Sequence, residues 1–180
     1  MIYLSMYTSF RISNVKPCSI NKAYYKTKKV LTIDGRRYRK RLLCTISKSK
    51  EIVEELMRLR LAFDDTKHAL RIYIIYYIPR HEYYTQEGKI SMRSGDVDNY
   101  AKLTTDFLCN SKYIGHKFPE IDTDIQNLGI DDRYIVDYDS SKRPSHNRQH
   151  HIDFHIEIID KSLTEVETQS LVLNTSSYKV

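Results

Sequence analysis

Apolar and polar positions alternate near both ends of the chain and recur at helical spacing in between. Residues 2 to 12 set Ile2, Leu4 and Met6 against Tyr3, Ser5 and Tyr7, which predicts a strand that Pro17 shuts off. Residues 17 to 29 then have the composition of a loop. After Thr32 or Asp34, either able to cap, Tyr38, Leu42, Ile46, Val53, Leu56 and Leu59 keep one stripe, predicting a single long helix to about Arg60. Residues 69 to 78 are β-branched and aromatic with little polarity, the composition of a buried central strand, and Pro79 closes it. Residues 80 to 95 read as a polar loop with Gly88 and Gly95. Residues 98 to 110 read as a short helix, with Ala101, Thr105 and Leu108 on one side and Asp98, Lys102 and Asp106 on another. Tyr134, Val136 and Tyr138 open a further strand that Ser140 and Pro144 stop, and Ile152, Phe154, Ile156 and Ile158 alternate with polar residues in a last one. This order predicts an α/β (α+β) domain over residues 1–160, a single mixed β-sheet backed by two main helices. An irregular segment spans about 111–128, and a polar tail of serine, threonine and glutamate fills 161–180.

A length of 180 residues suits one core, and a net charge of +6 with a pI near 9.1 favours an acidic partner such as nucleic acid. The three cysteines, Cys18, Cys44 and Cys109, are widely spaced and lack a Cys-x-x-Cys pair, as in a reduced intracellular chain. The longest apolar run, Ile72 to Ile78, is too short for a bilayer, and Arg11 interrupts any secretory leader. The expectation is a soluble, cytoplasmic protein without a membrane partner.

The candidate chemistry lies in Gly95-Asp96-Val97-Asp98-Asn99-Tyr100-Ala101-Lys102 and in a second acidic pair, Asp131 and Asp132. Crowded carboxylates resist joint ionisation, so such a set calls for a divalent cation, and magnesium takes hard oxygen ligands. Asp96, Asp98 and Asp132 are the candidate ligands, with Asp131 accessory and Lys102 a compact charge for a phosphate oxygen. The ordinary alternative makes Asp96 and Asp98 partners of a helix dipole and Lys102 an i+4 ion-pair partner of Asp98.

Five cations among six positions, Arg36, Arg37, Arg39, Lys40 and Arg41, start the long helix where a dipole favours acids, a pattern suited to phosphate contacts or to plain solvation. Tyr24 and Tyr25, among Lys22, Lys26 and Lys28, are candidates for touching DNA. His146, His150, His151 and His155 read as the polar side of a strand rather than a zinc cluster, since no cysteine joins them.

Taken in order, Pro17-x-Ser19-x-Asn21 with Tyr24 and Tyr25, Thr32-x-Asp34-Gly35 before Tyr38-Arg39, Asp96-Val97-Asp98-Asn99 with Lys102 and Asp106, and Asp131-Asp132 leading to Val136-Asp137-Tyr138 span most of the chain. The chain resembles the RusA-type Holliday junction resolvases in these motifs, from about residue 2 to 159. The resemblance implies an α/β domain with a mixed sheet and two helices, acting as a symmetric homodimer on branched DNA. It implies a magnesium-dependent endonuclease, with manganese as a possible substitute, that nicks opposed strands of a four-way junction in recombination and repair. By matched position Asp96, Asp98, Lys102 and Asp132 would be catalytic, with the three aspartates binding metal. Asn21, Tyr24, Lys26, Lys28, Arg36, Arg37, Arg39 and Lys40 would touch DNA. The setting would be the cytoplasm of a bacterial or phage-infected cell. The chain departs from the compact members by about fifteen extra residues between Asp106 and Asp131 and by its tail. A catalytically idle junction-binding module and a metal-dependent nucleotide transferase using Asp-x-Asp are the competing expectations.

Overall fold

The computed structural model describes residues 6–25, 30–119 and 124–162. Its elements in chain order are β1 (Met6–Ser13), α1 (Ile20–Ala23), α2 (Ile33–Lys48), α3 (Lys50–Ala62), β2 (His68–Pro79), α4 (Arg80–Tyr83), α5 (Val97–Cys109), β3 (Ile135–Ser145) and β4 (His151–Asp160). Short 3-10 turns cover Met92–Ser94, Ser111–Tyr113 and Asp132–Tyr134. The four strands form one mixed sheet in the order β1-β4-β2-β3, with β2 parallel to β3 and the other pairs antiparallel. The chain is therefore a mixed α/β protein built on a single sheet.

Alternation along the strands sorts the two faces. Ile12, Ile72, Ile74, Tyr76, Ile152, Phe154 and Ile156 are buried in one cluster with Leu42, Leu43, Ile46, Leu56, Leu59, Leu103, Phe107 and Leu108 of the helices. The opposite face carries polar pairs across the strands. Arg11 holds Asp153 through two bonds of 2.6 and 2.7 Å, Arg71 bridges Asp137 and Glu157, and Ser9 meets His155 Nδ1 at 2.7 Å. His151 stacks on Tyr77 at 4.4 Å. His155 and His151 thus lie on this paired outer face, whereas His146 and His150 precede β4 and His150 Nε2 lies 3.4 Å from a Glu82 carboxylate oxygen. Among the described residues no group of three or more His, Cys, Asp or Glu side chains is placed to hold one ion.

A polar node inside the core fixes α5. Thr104, fully buried, donates to the Tyr100 carbonyl at 2.8 Å, as a helix threonine bonding back one turn. Its one proton is then spent, so the buried hydroxyls of Tyr76 on β2 and Tyr38 on α2 must both donate to the Thr104 oxygen. Two phenols from different elements converge on one atom of α5. This sets the rotation of the helix, burying Ala101, Leu103, Thr104, Phe107 and Leu108 and turning Asp98 and Lys102 to solvent.

Five expectations need correction. The stretches 17–29 and 80–95 are not loop throughout, since the first holds α1 (Ile20–Ala23) and the second holds α4 (Arg80–Tyr83) and the 3-10 turn Met92–Ser94. The long helix is two helices, because Ser49 is extended (φ −95, ψ 103) and serves as the end cap of α2 and the start cap of α3, its Oγ accepting from Ile52 N. The sheet is accordingly backed by three substantial helices rather than two. The strand opening near Tyr134 runs through Ser140 and Pro144 to Ser145, since β3 is an edge strand and an edge tolerates proline. The segment 111–128 is not merely irregular where it is described: it holds the 3-10 turn Ser111–Tyr113, and Ile125 and Leu128 are buried. Residues 2–5 of the first strand and the tail from residue 163 lie outside the described residues.

Candidate phosphate-handling site

Asp98, Lys102 and Asp106 recur every four residues, and each such step advances about 40° around the helix, so they make one slightly spiralling stripe along α5. Asp96 precedes α5 as its N-cap residue but makes no capping bond; its Oδ2 accepts from Asn99 Nδ2 at 3.2 Å. The turn before it is braced. Gly95 sits at φ +71, where an added Cβ would collide with the Tyr100 ring. Lys142 of β3 donates to the Gly95 carbonyl at 2.6 Å and to Ser94 Oγ at 2.9 Å, while Tyr100 Oη donates to the Ser94 carbonyl. Asp96, Asp98 and Lys102 are all exposed, and among the described residues neither Asp98 nor Lys102 has an ion-pair partner. The i+4 ion pair of the ordinary alternative is not formed.

The second acidic pair meets the other end of α5. In a parallel β2–α5–β3 connection the helix runs back to the start of the next strand, so residues just before β3 arrive beside the C-terminal turns of α5. Asp131 caps the 3-10 turn by accepting from Arg133 N at 3.1 Å, and Asp132 opens that turn. Asp131, Asp132 and half-buried Asp106 line one cleft of about 180 Å³ with Tyr24, Asn110, Lys112 and Tyr113. Burial first, and then the charge of Asp132, raise the Asp106 pKa against the pull of Lys102 and Lys112. Asp98 stands two turns away from Asp106, about 12 Å along the axis. Within one subunit Asp132 is thus brought to Asp106, and Asp96 and Asp98 form a separate group at the far end.

The remaining candidates divide. Thr32 caps α2, accepting from Gly35 N at 3.2 Å, and its hydroxyl donates to the Lys22 carbonyl at 2.6 Å. A Cβ on Gly35 would strike the Ala23 carbonyl, so the Thr32-x-Asp34-Gly35 stretch lets α1 lie directly on α2. That docking brings Tyr24 into the cleft, where burial, then Asp106 and Tyr113, raise its pKa while Arg39 lowers it. Asn21 is exposed on α1. Arg36 donates to the Leu31 carbonyl, Arg37 lies 3.9 Å from Asp34, and Lys40 and Arg41 are exposed, without ion-pair partners among the described residues. Arg39 is half-buried, its guanidinium 4.5 Å from the Phe118 ring and 5.7 Å from that of Tyr113. Lys26 and Lys28 lie outside the described residues.

Sequence reasoning assigned no role to Asp106, although its place on the polar stripe was the available signal. Lys112 and Tyr113 had no comparable signal, because only folding brings them to the acids. Comparison of the chain with protein-family models gives no match, and comparison with curated proteins gives none either.

Proposed function

We propose that the chain is a magnesium-dependent, structure-selective DNA endonuclease that acts on four-way junctions as a symmetric homodimer. The reading rests on one observation: acids and a lysine share a stripe of α5 whose lower end meets Asp131 and Asp132 in a cleft lined by Lys112, Tyr24 and Tyr113, with Arg39 against the Tyr113 ring. The acids fit a hard cation. Burial and the charge of Asp132 raise the cost of ionising Asp106, and positive charge beside it relieves that cost. Asp106 and Asp132 at one end, and Asp96 and Asp98 at the other, are two pairs of oxygen donors that would hold magnesium or manganese, with waters and a substrate phosphate completing the shell. The ion, when bound, supplies a more acidic water and offsets charge growing on the phosphate.

The chain's own groups do the rest. Lys102, midway between the acid groups, neutralises a phosphate oxygen as a point charge, and Tyr24 gives a flat ring on the cleft wall. Arg36, Arg37, Lys40 and Arg41 extend the positive surface along α2 toward backbone phosphates. One site per subunit suits paired nicks on two strands related by a twofold axis. No described helix is long and apolar enough to cross a membrane, in keeping with a cytoplasmic DNA partner.

The test incubates the protein with labelled four-way junction, linear duplex and single strand, in magnesium or in chelator. Symmetric nicks on the junction with magnesium alone are expected. Equal cutting of all three substrates would make it a general nuclease, and junction binding without cutting would make it an idle binding module.

A further inference from the structure

We infer that Lys112 is a phosphate-binding residue of the cleft, contributed by the extra segment 111–128, and that it grips a backbone phosphate of the DNA next to the one handled at Asp132. The inference rests on the endonuclease reading and names a contact within it. Lys112 lines the same cleft as Asp106, Asp131 and Asp132, and its charge acts on the Asp106 carboxyl. Among the described residues no carboxylate lies within ion-pair distance of the ammonium.

The lysine is also held in place. Its backbone N–H donates to Asn110 Oδ1 at 3.1 Å, which closes the 3-10 turn Ser111–Tyr113. The turn is anchored from below, because buried Asn127 donates to the Asn110 carbonyl at 3.0 Å and to the Phe107 carbonyl at 2.8 Å. Lys112 Nζ lies 4.8 Å from the centroid of the Tyr113 ring, and that ring, buried against Phe107, also carries Arg39 at 5.7 Å. One aromatic ring thus seats two cations beside the acids. A polyanion approaching Asp106, Asp131 and Asp132 meets repulsion from all three, and cations fixed at the cleft wall are what let phosphate come close. Arg39 is partly enclosed by Phe118 and Tyr113, whereas Lys112 is exposed and free to reach the strand.

The experiment measures junction affinity against salt concentration, in calcium or chelator to prevent cutting, and single-turnover cleavage in magnesium. Wild type is compared with Lys112→Gln, Lys112→Arg and Lys50→Gln; Lys50 is an exposed lysine at the start of α3, so the last variant makes the same charge change elsewhere. Lys112→Gln should weaken binding roughly three- to tenfold near 0.1 M salt and lower the slope of log K against log salt by about 1. Lys112→Arg should retain the slope, and Lys50→Gln should not change it. The thermal midpoint of Lys112→Gln should stay at the wild-type value, because the side chain is exposed. Equal effects of Lys112→Gln and Lys50→Gln, with wild type binding and cutting normally, would overturn the assignment of Lys112 alone. A wild-type protein without junction affinity would overturn the endonuclease reading and this inference with it.

Discussion

Replacing Thr104 with valine tests whether the buried node sets the position of α5. Valine keeps the shape of threonine and removes the oxygen on which Tyr38 and Tyr76 converge. Both phenols lie in the core, with Tyr38 3% and Tyr76 0% exposed, so neither can turn to water. A buried hydroxyl left without a partner costs about 1–3 kcal/mol, so two of them cost about 2–6 kcal/mol. That is a large part of a total stability on the order of 5–15 kcal/mol. At about 2–4 °C per kcal/mol for a chain of this length, the melting temperature should fall by on the order of 10 °C. Urea unfolding of Thr104→Val supplies the free energy. Adding Tyr38→Phe and Tyr76→Phe to that background should then restore much of the loss, because both ends of each broken bond become apolar. A loss below about 1 kcal/mol, or phenylalanine substitutions that simply add to the damage, would refute the node.

Three further outcomes follow from the site. Arg36→Ala with Arg37→Ala should weaken junction binding and make its salt dependence shallower, and an unchanged slope would return these arginines to a solvated face. Asp106→Asn should stabilise the fold at neutral pH, with the gain disappearing in acid. The folded-state pKa of Asp106 lies above the ordinary 3.8, so its ionisation penalty is absent below that value and grows as pH rises through the higher folded value. Unfolding midpoints at pH 3 and pH 7 check it, and an equal gain at both would contradict the raised pKa. Gly35→Ala should displace α1 and lower both stability and junction affinity, as read by urea unfolding and a binding titration, since the new methyl meets the Ala23 carbonyl. Unaltered values would mean that α1 is not held against α2 at this point.

Much of the sheet was legible because strand periodicity is local. The alternation of Ile152, Phe154, Ile156 and Ile158 and the unbroken apolar run from Ile72 to Ile78 gave β4 and β2 within a residue or two. The break at Ser49 was not legible, since a serine inside an apolar stripe caps a helix only when its backbone leaves the helical region. At the site, the stripe of Asp98 and Lys102 followed from helical spacing. The meeting of Asp132 with Asp106 did not, because it depends on the direction of the parallel connection, which reverses along α5 before β3 begins. Tyr24 and Lys112 reach the cleft from separate segments, with Arg39 of a third packed on the Tyr113 ring, and no local pattern joins them.

The most direct measurement compares wild type with Asp98→Asn on a labelled four-way junction in magnesium, with binding titrated in parallel. The account predicts paired nicks by wild type and none by Asp98→Asn, which still binds the junction as well or better because one phosphate-repelling charge is gone. Undiminished cutting by Asp98→Asn, or no cutting by wild type in magnesium, would contradict it.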